Sequence, residues 1–174
     1  MGRLTGQIGY SHTRSYLRIN TLNENRWYPS HQDKPIDASL FVDYRLKPRW
    51  TMNINLVYTS GMTISTPTGF FYYRGSQVPI YAEQNNGRLP DYKRVDIGSV
   101  WRLNKVGKPF EHYFTFTLYN LFNYRNYAFL NFNKIQGAED KFYIPADKLN
   151  LQEQVPTYRY IYSIVPSFTY SLKF

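Results

Sequence analysis

The sequence predicts an all-β chain in which about six long strands form a segment of an antiparallel transmembrane β-barrel. Bulky apolar residues alternate with small or polar ones over spans longer than an ordinary strand. The connections between these spans alternate long and short. Charged side chains gather on the strand face opposite the apolar one.

The first strand runs from about Arg3 to Leu17, where Leu4, Ile8 and Tyr10 alternate with Thr5, Gln7, Gly9 and Ser11, and Gly6 is a small-residue position. Residues from about Arg18 to Pro35 are polar, hold Pro29 and Pro35, and read as a loop. The second strand, about Ile36 to Leu46, sets Ile36, Ala38, Leu40, Val42, Tyr44 and Leu46 against Asp37, Ser39, Asp43 and Arg45, with Phe41 out of pattern. Lys47, Pro48 and Arg49 signal a tight turn. The third strand, about Trp50 to Gly61, sets Met52, Ile54, Leu56 and Tyr58 against Thr51, Asn53, Asn55 and Thr59.

A long stretch rich in Gly, Pro, Asn and Tyr follows, about Met62 to Asp91; loops of this length are uncommon in compact soluble domains. The fourth strand, about Tyr92 to Leu103, has Val95, Ile97, Trp101 and Leu103 on one face and Arg94, Asp96, Gly98 and Arg102 on the other. A short connection, Asn104 to Glu111, leads to the fifth strand, about His112 to Tyr124, with an upward continuation through Ala128 to Phe132. A second polar stretch, about Asn133 to Thr157, precedes the final strand, Tyr158 to Phe174. There Tyr160, Tyr162, Ile164, Phe168, Tyr170, Leu172 and Phe174 alternate with Ser163, Ser167, Thr169, Ser171 and Lys173, and only Pro166 breaks the apolar series.

Antiparallel strands joined in this way place every short turn at one end and every long loop at the other, the asymmetry of outer-membrane barrels. Each strand has the roughly ten residues that a tilted strand needs to cross the hydrocarbon layer. Trp50, Tyr44, Trp101 and Phe174 fall near the short turns, and Tyr58, Phe122, Tyr160 and Tyr162 toward the long loops, as two interfacial girdles would. In a soluble sandwich the apolar face would be core and the charged face solvated; in a membrane barrel the apolar face meets lipid and the charged face lines the lumen.

Composition bounds the alternatives. The 174 residues suit one domain, with 18 Tyr and 12 Phe, and the mean hydropathy is −0.53. No apolar run of about 18 residues exists, so no transmembrane helix is expected. The start of the chain shows no apolar segment of the kind a secretory signal has. Cysteine is absent, so disulfide and thiolate chemistry are excluded. The net charge of +9 comes from scattered residues rather than a block, which speaks against nucleic acid.

Several short stretches, in order, resemble the C-terminal part of TonB-dependent outer-membrane receptors, most like those of Bacteroidetes-type bacteria. They are Tyr28, Pro29, Ser30 with Asp33, Lys34, Pro35; Tyr44, Arg45, Leu46; Val57 to Gly61 with Pro67; Arg88 to Tyr92 with Arg94, Val95, Asp96; Leu118 to Asn123 with Tyr127; and Val165 to Phe168 before Phe174. The resemblance implies a 22-stranded barrel of which these would be the last six strands. It also implies an N-terminal plug, ligand uptake energised by TonB, and location in the outer membrane of a Gram-negative bacterium.

The partners implied are outer-membrane lipid and lipopolysaccharide, the remainder of the barrel, the plug, TonB through that plug, and the barrel assembly machinery. No cofactor and no catalytic role are implied. The alternating Phe168, Tyr170, Leu172 and Phe174 resemble the assembly signal of such proteins. Six strands cannot close a membrane barrel, so the chain is expected to be a fragment, a truncated reading frame or one piece of a split barrel. Two other readings stay open: an outer-membrane channel or structural barrel without TonB coupling, and a soluble all-β binding protein.

Signals for chemistry are weak. His12, His31 and His112 have no ligand-like spacing. No nucleophile elbow, dinucleotide-binding or phosphate-binding glycine motif occurs. Glu139, Asp140 and Asp147 do not match a calcium loop. The best binding candidate is the tip Phe70, Phe71, Tyr72, Tyr73, Arg74, where aromatics beside a cation can stack on sugars, peptide side chains or aromatic ligands, or simply pack against neighbouring loops. Asp43, Arg45, Arg94, Asp96 and Arg102 are expected to form a lumen charge network. Arg14, Arg18, Arg26 and Arg88 are candidates for anionic lipopolysaccharide headgroups.

Overall fold

The computed structural model describes residues 3–74, 76–134 and 154–174. The chain is all-β and antiparallel. Six strands form one sheet in sequence order: Leu4–His12, Ile36–Lys47, Trp50–Thr59, Tyr92–Arg102, Glu111–Tyr119 and Val165–Lys173. They are called the first to sixth strands below. Their lengths of 9, 12, 10, 11, 9 and 9 residues bracket the 9–11 that a strand tilted by about 45° needs to span a bilayer core. Among the described residues the first and sixth strands pair on one side only, so the sheet is open.

Register sorts the side chains. Gly6, Val42, Ile54, Ile97, Leu118 and Pro166 form one row across all six strands, and Leu4, Tyr44, Met52, Ser99, Phe116 and Phe168 form another on the same face. On the opposite face one row reads Thr5, Asp43, Asn53, Gly98, Thr117, Ser167. Directly paired residues share a face, so period-two alternation in each strand becomes an apolar face and a polar face for the sheet. Nothing among the described residues covers the apolar face: Leu4 is 63 %, Ile8 80 % and Phe168 67 % exposed.

The buried interior lies instead at the long-loop end. Among the described residues the buried apolar side chains are Tyr28 and Leu89, both in loops. The loop between the first and second strands and the loop between the third and fourth lock together around Asp33, which is 1 % exposed. Its carboxylate accepts the Ser15 N–H at 2.8 Å and an Arg88 guanidinium N–H at 2.5 Å, and Arg14 lies 3.9 Å away. Arg88 also donates to the carbonyls of Asp33 and Gly61, at 2.7 and 2.6 Å. Thr63 donates to the Ser30 carbonyl at 2.6 Å. At Gly61 a Cβ would lie 1.7 Å from the Leu89 carbonyl oxygen, so only glycine permits this approach of two backbones.

Several boundaries differ from the sequence expectation. The first strand ends at His12, because Tyr16–Leu17 turns aside to pair with Tyr28–Pro29 inside the loop. The fifth strand ends at Tyr119 rather than Tyr124. Fully buried Asn120, at φ +55°, donates its side-chain amide to the Tyr124 carbonyl and accepts the Tyr124 N–H, both at 3.0 Å, closing a turn. The chain then resumes as Tyr127–Lys134, the upward continuation expected from sequence. The final strand is two segments, Gln154–Tyr160 and Val165–Lys173. The first pairs with Tyr127–Lys134 and the second with the fifth strand, so the break between them sits where the Asn120 turn interrupts their partner. The long third loop carries its own hairpin, Gly69–Tyr73 with Ser76–Ile80.

Burial raises the Asp33 pKa, but the Ser15 N–H, the Arg88 bond and the charges of Arg88 and Arg14 outweigh it and hold the carboxyl below the usual carboxylate range. A depressed folded-state pKa stabilises fully above the ordinary carboxylate value, and that stabilisation is lost as pH falls through the lowered one. Thermal unfolding should therefore show an acid-side loss of stability that Asp33→Asn removes. At neutral pH the same variant should be less stable by about 3 kcal/mol, the low end for deleting one partner of a buried pair, because Arg88 keeps 29 % exposure.

Candidate functional site on the polar face

The polar face carries its most organised chemistry where the fourth and fifth strands meet the loops. Asp96, 8 % exposed, is the hub. One oxygen accepts from Arg94 Nε at 2.9 Å and from the Asn55 side-chain amide at 3.1 Å. The other accepts the Asn120 backbone N–H at 3.0 Å. Arg94 donates further to the hydroxyls of Tyr92 and Tyr119, at 2.9 and 3.1 Å, and its guanidinium carbon stands 4.5 Å from the Tyr119 ring centroid. Arg94 and Asp96 are two residues apart on one strand, so both side chains rise from the same face. Neighbouring strands supply Asn55 and Tyr119. One carboxylate thus fixes a cation, an amide and the turn that ends the fifth strand.

Above this cluster a cleft of about 560 Å³ opens toward the loops. Tyr92 and Tyr119 form its floor, Tyr127, Phe129 and Tyr162 one wall, and Leu89 and Pro90 another, with Lys34 and Asn126 as polar lining. Tyr119 meets Tyr162 edge to face with centroids 6.0 Å apart. Such walls offer flat apolar surfaces for stacking with few polar groups, the make-up of a small-molecule site. Among the described residues no group of three or more His, Cys, Asp or Glu side chains could hold a metal ion.

The expected lumen network is divided. Arg94 and Asp96 pair at 2.9 Å, whereas Arg102 pairs with Glu111 at 2.9 Å, a partner not foreseen from sequence. Asp43 and Arg45 make no ion pair among the described residues. The third strand lies between them and the Arg94–Asp96 pair, placing two sheet spacings, about 10 Å, between the groups.

Phe71, Tyr73 and Arg74 lie exposed at the tip of the third loop's hairpin, with Arg74 5.3 Å from the Tyr73 ring; they line no part of the cleft. Tyr72 pairs with Gln77 in the hairpin, but its side chain lies outside the described residues. Phe168, Tyr170 and Leu172 share the apolar face, opposite Phe116, Phe114 and His112, and Phe174 is 99 % exposed. Glu139, Asp140 and Asp147 also lie outside the described residues. Three of the four loop arginines proposed for anionic headgroups, Arg14, Arg26 and Arg88, already contact carboxylates of the chain, and Arg18 donates to the Asn25 carbonyl at 2.8 Å.

Sequence reasoning missed the cleft. Its lining comes from six separate stretches, and only the aromatic content of four of them was visible in advance. Comparison with protein-family models, curated proteins and solved structures found no match to this chain.

Asp96→Ala should cost about 2–4 kcal/mol, since it strands a partly buried guanidinium and an N–H. Asp43→Ala, which removes no observed partner, should stay within about 0.5 kcal/mol. Chemical denaturation in detergent reads both.

Proposed function

We propose that this sheet is part of the wall of an outer-membrane β-barrel, the C-terminal portion of a receptor of the TonB-dependent kind that takes up a ligand. The carrying observation is the polarity of the sheet. Its apolar face is continuous across six strands and uncovered, while its polar face holds the buried Asp96 hub. In water an exposed apolar face of this extent costs roughly 25 cal/mol per Å², whereas in lipid it is matched to its surroundings.

The ends support the same reading. Pro48–Arg49 and the connection from Leu103 to Phe110 are short and lie at one end, while the long connections leave and rejoin the sheet at the other. Strands from outside the described sheet would pair with the free edges of the first and sixth strands, since unpaired edges are not tolerated in hydrocarbon. The cleft above Asp96 then faces the lumen near the loops, where an entering ligand passes. Within this reading the wall positions and admits the ligand and performs no catalysis.

Phe168→Arg and Thr117→Arg separate lipid from water as the neighbour of the apolar face. Phe168→Arg should reduce recovery in the outer-membrane fraction strongly, as a cation at mid-bilayer costs about 2–4 kcal/mol. Thr117→Arg, on the polar face, should insert normally. Equal tolerance of both, or a parent chain soluble without detergent, would overturn the membrane reading. Normal insertion with ligand uptake independent of TonB would leave a channel or structural barrel in its place.

A further inference from the structure

We propose that the short-turn end of the sheet is a docking surface for anionic phospholipid headgroups, an inference that rests on the membrane reading above. The two turns carry Lys47 and Arg49, and Lys105 and Lys108. None of these four makes an ion pair among the described residues. Glu111, the nearest acid in sequence to Lys105 and Lys108, is occupied by Arg102 at 2.9 Å, and Asp43, the nearest to Lys47 and Arg49, pairs with neither. At the loop end Arg14 and Arg88 share Asp33, and Arg26 reaches Glu24 and Glu83 at 3.0 and 3.4 Å, while Arg18, Lys34, Arg74, Arg125 and Arg159 make no ion pair among the described residues. The two turns therefore present four cations, on two adjacent connections, that no carboxylate of the described residues neutralises.

The surroundings of these cations select a lipid rather than a free anion. Just inside the turns, on the apolar face, Trp50, Trp101, Phe114 and Tyr170 form a row across four strands. Trp50 and Trp101 stack with centroids 6.4 Å apart, and Trp101 and Phe114 at 5.8 Å. A shift of register between Arg45 and Lys47 puts Lys47 opposite Trp50, with its ammonium 6.0 Å from the indole.

In the second turn Leu103, Val106 and Phe110 are 55 %, 63 % and 44 % exposed and are interleaved with Lys105 and Lys108. An ammonium at the end of a long stem, beside aromatic and aliphatic side chains that sink to the acyl boundary, meets a lipid phosphate at the depth where it lies. Inorganic phosphate would leave those apolar groups unused. The proposed ligand is therefore the headgroup of a phosphatidylglycerol-type lipid in the leaflet facing the turns.

Tryptophan quenching tests this in the full chain carrying Trp27→Phe, which leaves Trp50 and Trp101 as the reporters. The chain is reconstituted in vesicles of phosphatidylcholine with a small fraction of brominated lipid. Brominated phosphatidylglycerol should quench at about fivefold lower mole fraction than brominated phosphatidylcholine, the selectivity that one basic side chain near an anionic surface supplies. Changing Lys47, Arg49, Lys105 and Lys108 together to Gln should erase the difference while quenching by brominated phosphatidylcholine persists. Equal quenching by both lipids in the parent overturns the proposal and leaves the membrane reading standing. A preference unchanged in the Gln variant, or lipopolysaccharide displacing the quencher as well as phosphatidylglycerol does, also overturns it. No quenching by either lipid removes the membrane reading and this proposal together.

Discussion

Five ladders of antiparallel backbone hydrogen bonds keep one register parity from Leu4 to Lys173, and the rest of the structure depends on it. A slip of one residue in any ladder would carry an Asp, Asn or Arg onto the apolar face and a Leu, Ile or Phe onto the polar one. The one irregularity in the six-stranded sheet falls between Arg45 and Lys47, at the edge of the apolar face, where it sets Lys47 opposite Trp50. The sheet thus presents two unlike surfaces, one suited to lipid and one able to hold a charged hub.

With no core between sheets among the described residues, the fold places its tight packing in the loops. Asp33 and Arg88 act there as a buried sheet core acts in a soluble domain, tying two long excursions to one point. A side-chain and backbone exchange between Asn23 and Gln84 adds a second tie, with bonds of 2.9 and 2.6 Å. The anchoring groups are Tyr28, Asp33, Gly61, Arg88 and Leu89. Gly61 permits the close approach to the Leu89 backbone, Asp33 and Arg88 satisfy buried polar groups that no regular ladder serves, and Tyr28 and Leu89 bury apolar surface beside them.

The Asn120 turn links the sheet to the cleft. Its backbone N–H is held by Asp96 and its side chain closes on Tyr124, so the fifth strand stops at a fixed height. The chain that resumes at Tyr127 forms a ribbon over the polar face and makes one wall of the cleft. Asp96 therefore serves the strand below and the cleft above through the same two oxygens.

The six sheet strands, their alternating faces and the order of short and long connections are legible in the residue pattern alone, though not every strand end. These follow from local side-chain period and from turn residues such as Pro48 and Gly107, which act over a few positions. Tertiary contacts, not local pattern, set Arg102 against Glu111 rather than the Asp43 side of the sheet. They likewise engage the loop arginines within the loops, break the last strand in two and bring aromatics from four stretches together at one cleft. Each of these depends on which strands are neighbours and at what register, and a pairing between residues dozens of positions apart leaves no periodic trace in one chain.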